Sequence, residues 1–265
     1  MTKHINKIHY NQAIAIEQFV LNVTILIFAE TNKGLESYTG TLFKIEGRRF
    51  IITSRHIFDK APENLLFSEN ILNGRSLLHS FSYDLTKPDI KHFDIAILEI
   101  RDSETLKILD KNFQFLSLQN VALPSEIKSG RTCILAGYPS ALIQQKDSGS
   151  SVRFISVYTE RIPVPKNPEL PVIENIDLFF GYKGQPKSIS DKDIELPKLP
   201  GTSGASIWEY HTTSGIWTAE STIRVVGVQS TYTLGGYFRA KSWAVVKEAF
   251  TLLIDNQPLT RSVSY

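Results

Sequence analysis

The chain has 265 residues, 42% of them hydrophobic and 21% charged, with a formal net charge of +2. That is enough for one large core or two modest ones, and the near-neutral balance gives no reason to expect a nucleic acid or an anionic membrane as partner. The one cysteine, Cys133, excludes an intrachain disulfide, so a reducing compartment and a cytoplasmic location are expected.

Residues 1–10 are polar and basic. Lys3, His4 and Lys7 then precede an apolar stretch from Ala13 to Ala29 that superficially resembles an export signal. Glu17, Gln18 and Asn22 interrupt it, and its removal would delete the first strand, so retention is expected. No stretch approaches the ~20 apolar residues of a membrane span. Ala13 to Phe19 suggests a short helix, and Val20 to Glu30 a strand. Thr31 to Tyr38 reads as a turn around Gly34. Gly40–Ile45 and Arg49–Thr53 flank Glu46-Gly47, a hairpin pattern.

Strand-like pieces follow near Leu65–Phe67 and Leu77–Ser82, then Ile95–Ile100. Thr105–Asp110 fits a short helix or a surface loop. The first unit closes near Phe115–Leu118, and Thr132–Gly137 is the first clear strand of the second. Cys133 falls in that strand as an inert core thiol. From 138 to 200 many prolines and glycines separate strand-like runs at Val152–Glu160 and Ile176–Tyr182. Strands at Ser206–Tyr210 and Val225–Ser230 follow, and Trp243–Leu253 has helical spacing. Short strands with turn signals and one clear helix predict an all-β barrel or sandwich.

Three residue settings carry chemistry. Ser203 lies in Leu199-Pro200-Gly201-Thr202-Ser203-Gly204-Ala205, pinned between glycines that allow a sharp turn and several backbone N–H groups facing one concavity. A hydroxyl beside such donors suits acyl transfer. His56 follows the β-branched run Phe50–Thr53, at a strand end, and is the candidate base. Asp94 is the last polar residue before the apolar strand Ile95–Ile100, and is the candidate acid that orients the base. Each taken alone has a plainer reading: a turn serine, a satisfied strand-end histidine and a strand-start cap. His92, two residues before Asp94, is a competing base. No His, Cys, Asp or Glu cluster has metal-ligand spacing, so no metal or organic cofactor is expected.

The order His56, Asp94, Ser203 resembles that of the chymotrypsin/trypsin-like serine peptidases. Thr53-Ser54-Arg55-His56, Phe93-Asp94-Ile95-Ala96-Ile97-Leu98 and Gly201-Thr202-Ser203-Gly204-Ala205 are similar to that family's three motifs. The separations, 38 and 109 residues, suit a histidine and aspartate on one barrel and a serine on the next. The likeness is to bacterial members without disulfides and covers roughly residues 20–250. It implies two six-stranded antiparallel β-barrels and a C-terminal helix. The division would be an N-terminal extension over 1–19, barrels over 20–120 and 121–240, and a helix and tail over 241–265.

The resemblance further implies an oxyanion hole from the N–H groups of Gly201 and Ser203. It assigns the primary pocket floor to Pro197, which removes an acidic floor, and substrate-backbone pairing to Gln229, Ser230 and Thr231. Thr202 stands where animal trypsins carry an aspartate, so no N-terminal activation ion pair is expected. Arg55 would raise the positive potential beside His56. The expected function is a serine endopeptidase acting on a protein or peptide substrate, with a regulatory protein partner as a way to restrain it. A catalytically silent peptide-binding module and an esterase remain open as rivals.

Overall fold

The computed structural model describes residues 9–32, 34–59, 65–68, 75–85, 94–123, 132–146, 149–182, 188–189, 198–211, 215–233, 236–254 and 261–263. In chain order, helix α1 (Tyr10–Asn22) leads into strands β1 (Thr24–Thr31), β2 (Gly34–Ile45), β3 (Arg48–Thr53), β4 (Leu65–Ser68), β5 (Arg75–Leu77), β6 (Phe81–Leu85) and β7 (Ala96–Ile100). Helix α2 (Ser103–Asn112) precedes β8 (Cys133–Gly137), β9 (Ile143–Lys146), β10 (Gly149–Val152), β11 (Ile155–Thr159), β12 (Arg161–Ile162), β13 (Asp177–Gly181) and β14 (Ser206–Tyr210). The chain ends with α3 (Ala219–Thr222), β15 (Ile223–Thr233), β16 (Tyr237–Ser242), α4 (Trp243–Ile254) and β17 (Arg261–Val263).

These strands form two curled antiparallel sheets, a double β-barrel with a C-terminal helix. The first runs β17-β6-β7-β3-β2-β1-β4-β5 and the second β11-β8-β14-β15-β16-β13-β12, with β9 and β10 as a separate ribbon. They therefore hold eight and seven strands among the described residues, against six apiece in the expected barrels. One of the additions is β17, a short C-terminal strand paired to β6.

Alternating side chains explain the arrangement. Along β3, Ile51 faces the interior of the first sheet with Ile25, Ile27, Leu42 and Leu98, while Phe50 and Ile52 face the layer between the sheets. Along β8, Cys133 and Leu135 face the second interior, while Ile134 and Ala136 face the shared layer. Strands buried on both faces read as continuous apolar runs, which is how both appear in the sequence. The shared layer is filled by α1 through Ala13, Ile16 and Val20, and by α4 through Trp243, Val246 and Phe250. Trp243 stacks on Phe43 at 4.6 Å between centroids, joining α4 to β2.

Several elements differ from expectation. The segment 31–38 is mostly strand, since Thr31 ends β1 and pairs with Gly34, where β2 already begins. Val20 to Asn22 extend α1 instead of starting β1, because Val20 packs into the inter-sheet layer. Residues 103–112 are helical, capped by Asp102, whose side chain accepts from the Thr105 N–H at 2.7 Å. The Glu46-Gly47 hairpin holds, with φ of 49° and 77° at its two turn residues. No helix among the described residues is long and apolar enough to cross a membrane.

Candidate active site

The antiparallel register of β3 with β7 brings His56 to Asp94. Thr53 pairs with Ala96, so the chain three residues beyond Thr53 lies beside the chain two residues before Ala96. His56 sits there in a 3₁₀ turn over Arg55–Asp59. Asp94 holds it twice: Oδ2 accepts from the ring Nδ1 at 2.7 Å, and Oδ1 accepts from the His56 backbone N–H at 2.9 Å. Asp94 is 8% exposed, and the His56 side chain 34%. With Nδ1–H committed to a carboxylate, the acceptor lone pair of the neutral ring lies on Nε2, the tautomer a general base requires.

Two neighbours further define this half of the site. The Tyr38 ring packs against the His56 ring, 5.4 Å between centroids, and the Tyr38 hydroxyl donates to Glu36 Oε2 at 2.8 Å. Burial first, and the Glu36 carboxylate next, push the Tyr38 phenol well above its usual value, so it stays protonated. Arg55 pairs with Asp59 at 3.1 Å. The cation expected beside His56 is thus matched by a carboxylate one helical turn on.

Ser203 lies on the loop before β14, and this loop is held almost entirely through its carbonyls. Leu199 O accepts from Thr202 N and Thr202 Oγ1, at 2.9 and 2.7 Å. Pro200 O accepts from Ser140 N at 2.8 Å and Ser140 Oγ at 3.0 Å. Gly201 O accepts from Thr39 Oγ1 at 3.0 Å, Thr202 O from Ala205 N at 2.8 Å, and Ser203 O from Thr39 N at 2.9 Å. A trans peptide plane points its N–H away from its C=O. Anchoring Pro200 O and Thr202 O therefore fixes the directions of the Gly201 and Ser203 N–H groups.

The loop turns through left-handed backbone at Gly201 and Gly204, with φ of 94° and 89°. A Cβ at Gly204 would overlap Thr39 O and Thr53 Oγ1 and press on Ser54 N. The serine loop is thus packed directly against the end of β3 that leads into His56. No hydrogen bond joins the Ser203 hydroxyl to His56 among the described residues. Thr202 is fully buried.

Of the other residues singled out by sequence, Gln229 bonds the serine loop through its backbone, its O accepting from Gly204 N at 2.8 Å and its N donating to Ala205 O at 2.7 Å. Ser230 is buried, its hydroxyl donating to Arg239 O at 3.3 Å. Thr231 follows a register shift in β15. The pairing of β15 with β14 stops at Val228, so the following residues carry no β14 strand on that side. Pro197 and His92 lie outside the described residues. Cys133 is buried and in no disulfide.

Sequence reasoning missed Thr39, Tyr38 and Ser140, and a buried charge cluster on β13 and β16. In that cluster Lys241 Nζ donates to Asp177 Oδ1. Arg239 lies 3.5 Å from Asp177 Oδ2 and donates to Leu170 O and Pro171 O at 2.7 and 3.0 Å. Asp177 Oδ2 also accepts from Ile173 N at 2.7 Å. Burial pushes the Lys241 ammonium down, against the opposing pull of Asp177. The cluster fastens the segment 170–173 over β16, beside the strand that carries Thr231.

No known protein-family model matches the chain, and no curated protein sequence matches it. Solved structures do. The scabies mite inactivated protease paralogue S-I1 aligns over 92% of this chain and 98% of its own, with a TM-score of 0.55 and 14% identity. A thermostable serine protease, AL20, from an extremophilic microorganism aligns over 92% and 100%, with a TM-score of 0.53 and 11% identity. The HtrA-type protease AlgW, with a tripeptide, aligns over 94% of this chain and 64% of its own, with a TM-score of 0.54 and 12% identity. The chain has the fold of the chymotrypsin/trypsin-like serine proteases.

Proposed function

We propose that the protein is a serine endopeptidase in which His56, Asp94 and Ser203 act together. The observation that carries this reading is the double grip of Asp94 on His56, which fixes both the ring's tautomer and its position. Ser203 Oγ attacks the scissile carbonyl while His56 Nε2 takes its proton, and Asp94 stabilises the imidazolium so formed. The oxyanion is held by the N–H groups of Gly201 and Ser203, whose directions are set by the anchored carbonyls of Pro200 and Thr202. The proton then passes to the leaving amine, giving an acyl-enzyme on Ser203 that water hydrolyses with His56 again as base. The substrate is an extended peptide whose backbone pairs with β15 beyond Val228, where Ser230 and Thr231 lie.

The single cysteine suits a reducing compartment, and we place the enzyme in the cytoplasm, restrained by a protein partner. A second reading, a peptide-binding module without catalysis, draws on two observations. The Ser203 hydroxyl makes no bond to His56 among the described residues, and two of the similar folds belong to inactivated protease paralogues. Catalytic hydrogen bonds are often long or poorly aligned in apo sites and tighten only with substrate.

A fluorophosphonate probe decides between the readings. Covalent labelling of the wild type that is lost in both Ser203→Ala and His56→Ala is the expected result. Folded wild type that stays unlabelled, in purified form and in cell lysate alike, would overturn the peptidase reading in favour of the binding module. Peptide and ester substrates compared on the labelled enzyme would separate a peptidase from an esterase.

A further inference from the structure

We infer that Thr39 is a positioning residue that latches the serine loop in the orientation its oxyanion donors need. This rests on the peptidase reading of the same site. Thr39 is fully buried and belongs to β2, on the first sheet, yet it makes three contacts with the second half of the molecule. Its N–H donates to Ser203 O at 2.9 Å. Its hydroxyl donates to Gly201 O at 3.0 Å and accepts from Tyr138 N at 3.1 Å. Its own carbonyl is occupied by Thr53 Oγ1 at 2.8 Å.

The direction of the hydroxyl proton follows from this set. Tyr138 N can only donate, so the Thr39 hydroxyl must accept there, and its single proton is left for Gly201 O. The hydroxyl therefore has one satisfied arrangement. Gly201, like Gly204, can rotate readily, because glycine visits both signs of φ at little cost. A half-turn of the Pro200–Gly201 peptide would swing its carbonyl toward the position the oxyanion must occupy, and a half-turn of Gly201–Thr202 would break the Thr202 N–Leu199 O bond and so displace both neighbouring planes that carry the oxyanion donors. Thr39 Oγ1 holds the Gly201–Thr202 plane, Thr39 N the Ser203–Gly204 plane, and Ser140 the Pro200–Gly201 plane. The hydroxyl is the component that a side-chain change can remove. Its neighbour Tyr38 packs on His56, so two consecutive residues of β2 set the base and the nucleophile loop from one rigid strand.

The test compares wild type, Thr39→Val and Thr39→Ser on a peptide substrate and with the fluorophosphonate. Thr39→Val keeps the shape but removes the hydroxyl; a drop of about tenfold or more in kcat and in labelling rate, with KM within about twofold, is expected, since loss of a whole oxyanion donor costs ~10²–10³. Thr39→Ser, which restores the hydroxyl, is expected to recover most of the rate. A merely structural residue would lower Tm and leave kcat of the folded enzyme unchanged, and that outcome overturns the inference. If Thr39→Val does not fold, Thr39→Ala, which removes the same hydroxyl, is read in its place. If wild type proves inert toward probe and substrate, the peptidase reading falls on its own. The latch is then judged by amide exchange over residues 199–204, which Thr39→Val accelerates at least tenfold if the latch exists and leaves unchanged if it does not.

Discussion

The two halves of the site are held by different means. On the first sheet, a side chain grips a side chain: Asp94 takes both the ring and the backbone of His56, and the register of β3 with β7 makes the pair adjacent. On the second, the serine loop is held by its carbonyls, with partners as remote in sequence as Thr39 and Ser140. The first half depends on particular side-chain groups, the Asp94 carboxylate and the His56 ring. The second needs particular backbone conformations, and its side chains matter mainly through what they do to the loop. Substitutions should therefore act in opposite ways on the two halves.

The largest effect is expected from Asp94→Asn. It keeps the shape but replaces the acceptor at His56 Nδ1 with a group that can present N–H, favouring the wrong tautomer. Activity on a peptide substrate should fall by about 10⁴-fold with the fold retained, as judged by circular dichroism. Retention of more than a tenth of the rate would mean that Asp94 does not orient the base.

Next is Gly204→Ala, the corresponding break in the other half. The methyl has no space against Thr39 O and Thr53 Oγ1, and φ of 89° is costly for alanine. Fluorophosphonate labelling should drop by roughly 10³-fold, in the range set by a lost oxyanion donor. The His56–Asp94 contact should survive, seen as an unchanged imidazole signal by NMR. Loss of that signal as well would show that the halves are not separable.

A smaller effect, on stability, comes from the wall beside Thr231. Asp177→Ala would leave Lys241 and Arg239 buried without their carboxylate, costing about 3–5 kcal/mol. Lys241→Met should be far milder, because it removes a charge that burial already disfavours. Urea unfolding of the two variants checks this, and equal losses would refute it.

The smallest effect lies away from the site, at Glu99 on β7. The bidentate hydrogen bonds from Arg48, each 2.7 Å, hold its carboxyl below the usual range despite burial. A depressed carboxylate contributes stability that is complete above its unfolded pKa and is lost as pH falls through the lower folded value. Thermal melts of wild type and Arg48→Met should therefore differ by a few degrees near neutrality and converge in acid. A constant difference across pH would mean that Arg48 acts by packing alone.

Much of this could be read from the sequence. Strand β14 at Ser206–Tyr210 and helix α4 starting at Trp243 stand where local pattern puts them, and the three motifs name His56, Asp94 and Ser203 in order. Such features depend on residues within a few positions of one another, where side-chain alternation, turn chemistry and helical spacing act. The helix over 103–112 is ambiguous in the sequence because only Thr105 and Leu109 are buried, with Leu106 and Ile108 partly packed on the core, and the remaining residues are polar. Thr39 gave no local signal at all. Its hydroxyl acquires a role only when Gly201, 162 residues away, arrives beside it. The same holds for Lys241, an ordinary surface residue by type, which is buried because Asp177 lies opposite it across paired strands. The sequence by itself determined the all-β class, the motif order whose family resemblance implies two barrels, and the chemical groups on offer. Only the tertiary structure decided which backbone groups hold the serine loop, because hydrogen bonds between distant strands depend on register and sheet packing, which no local pattern encodes.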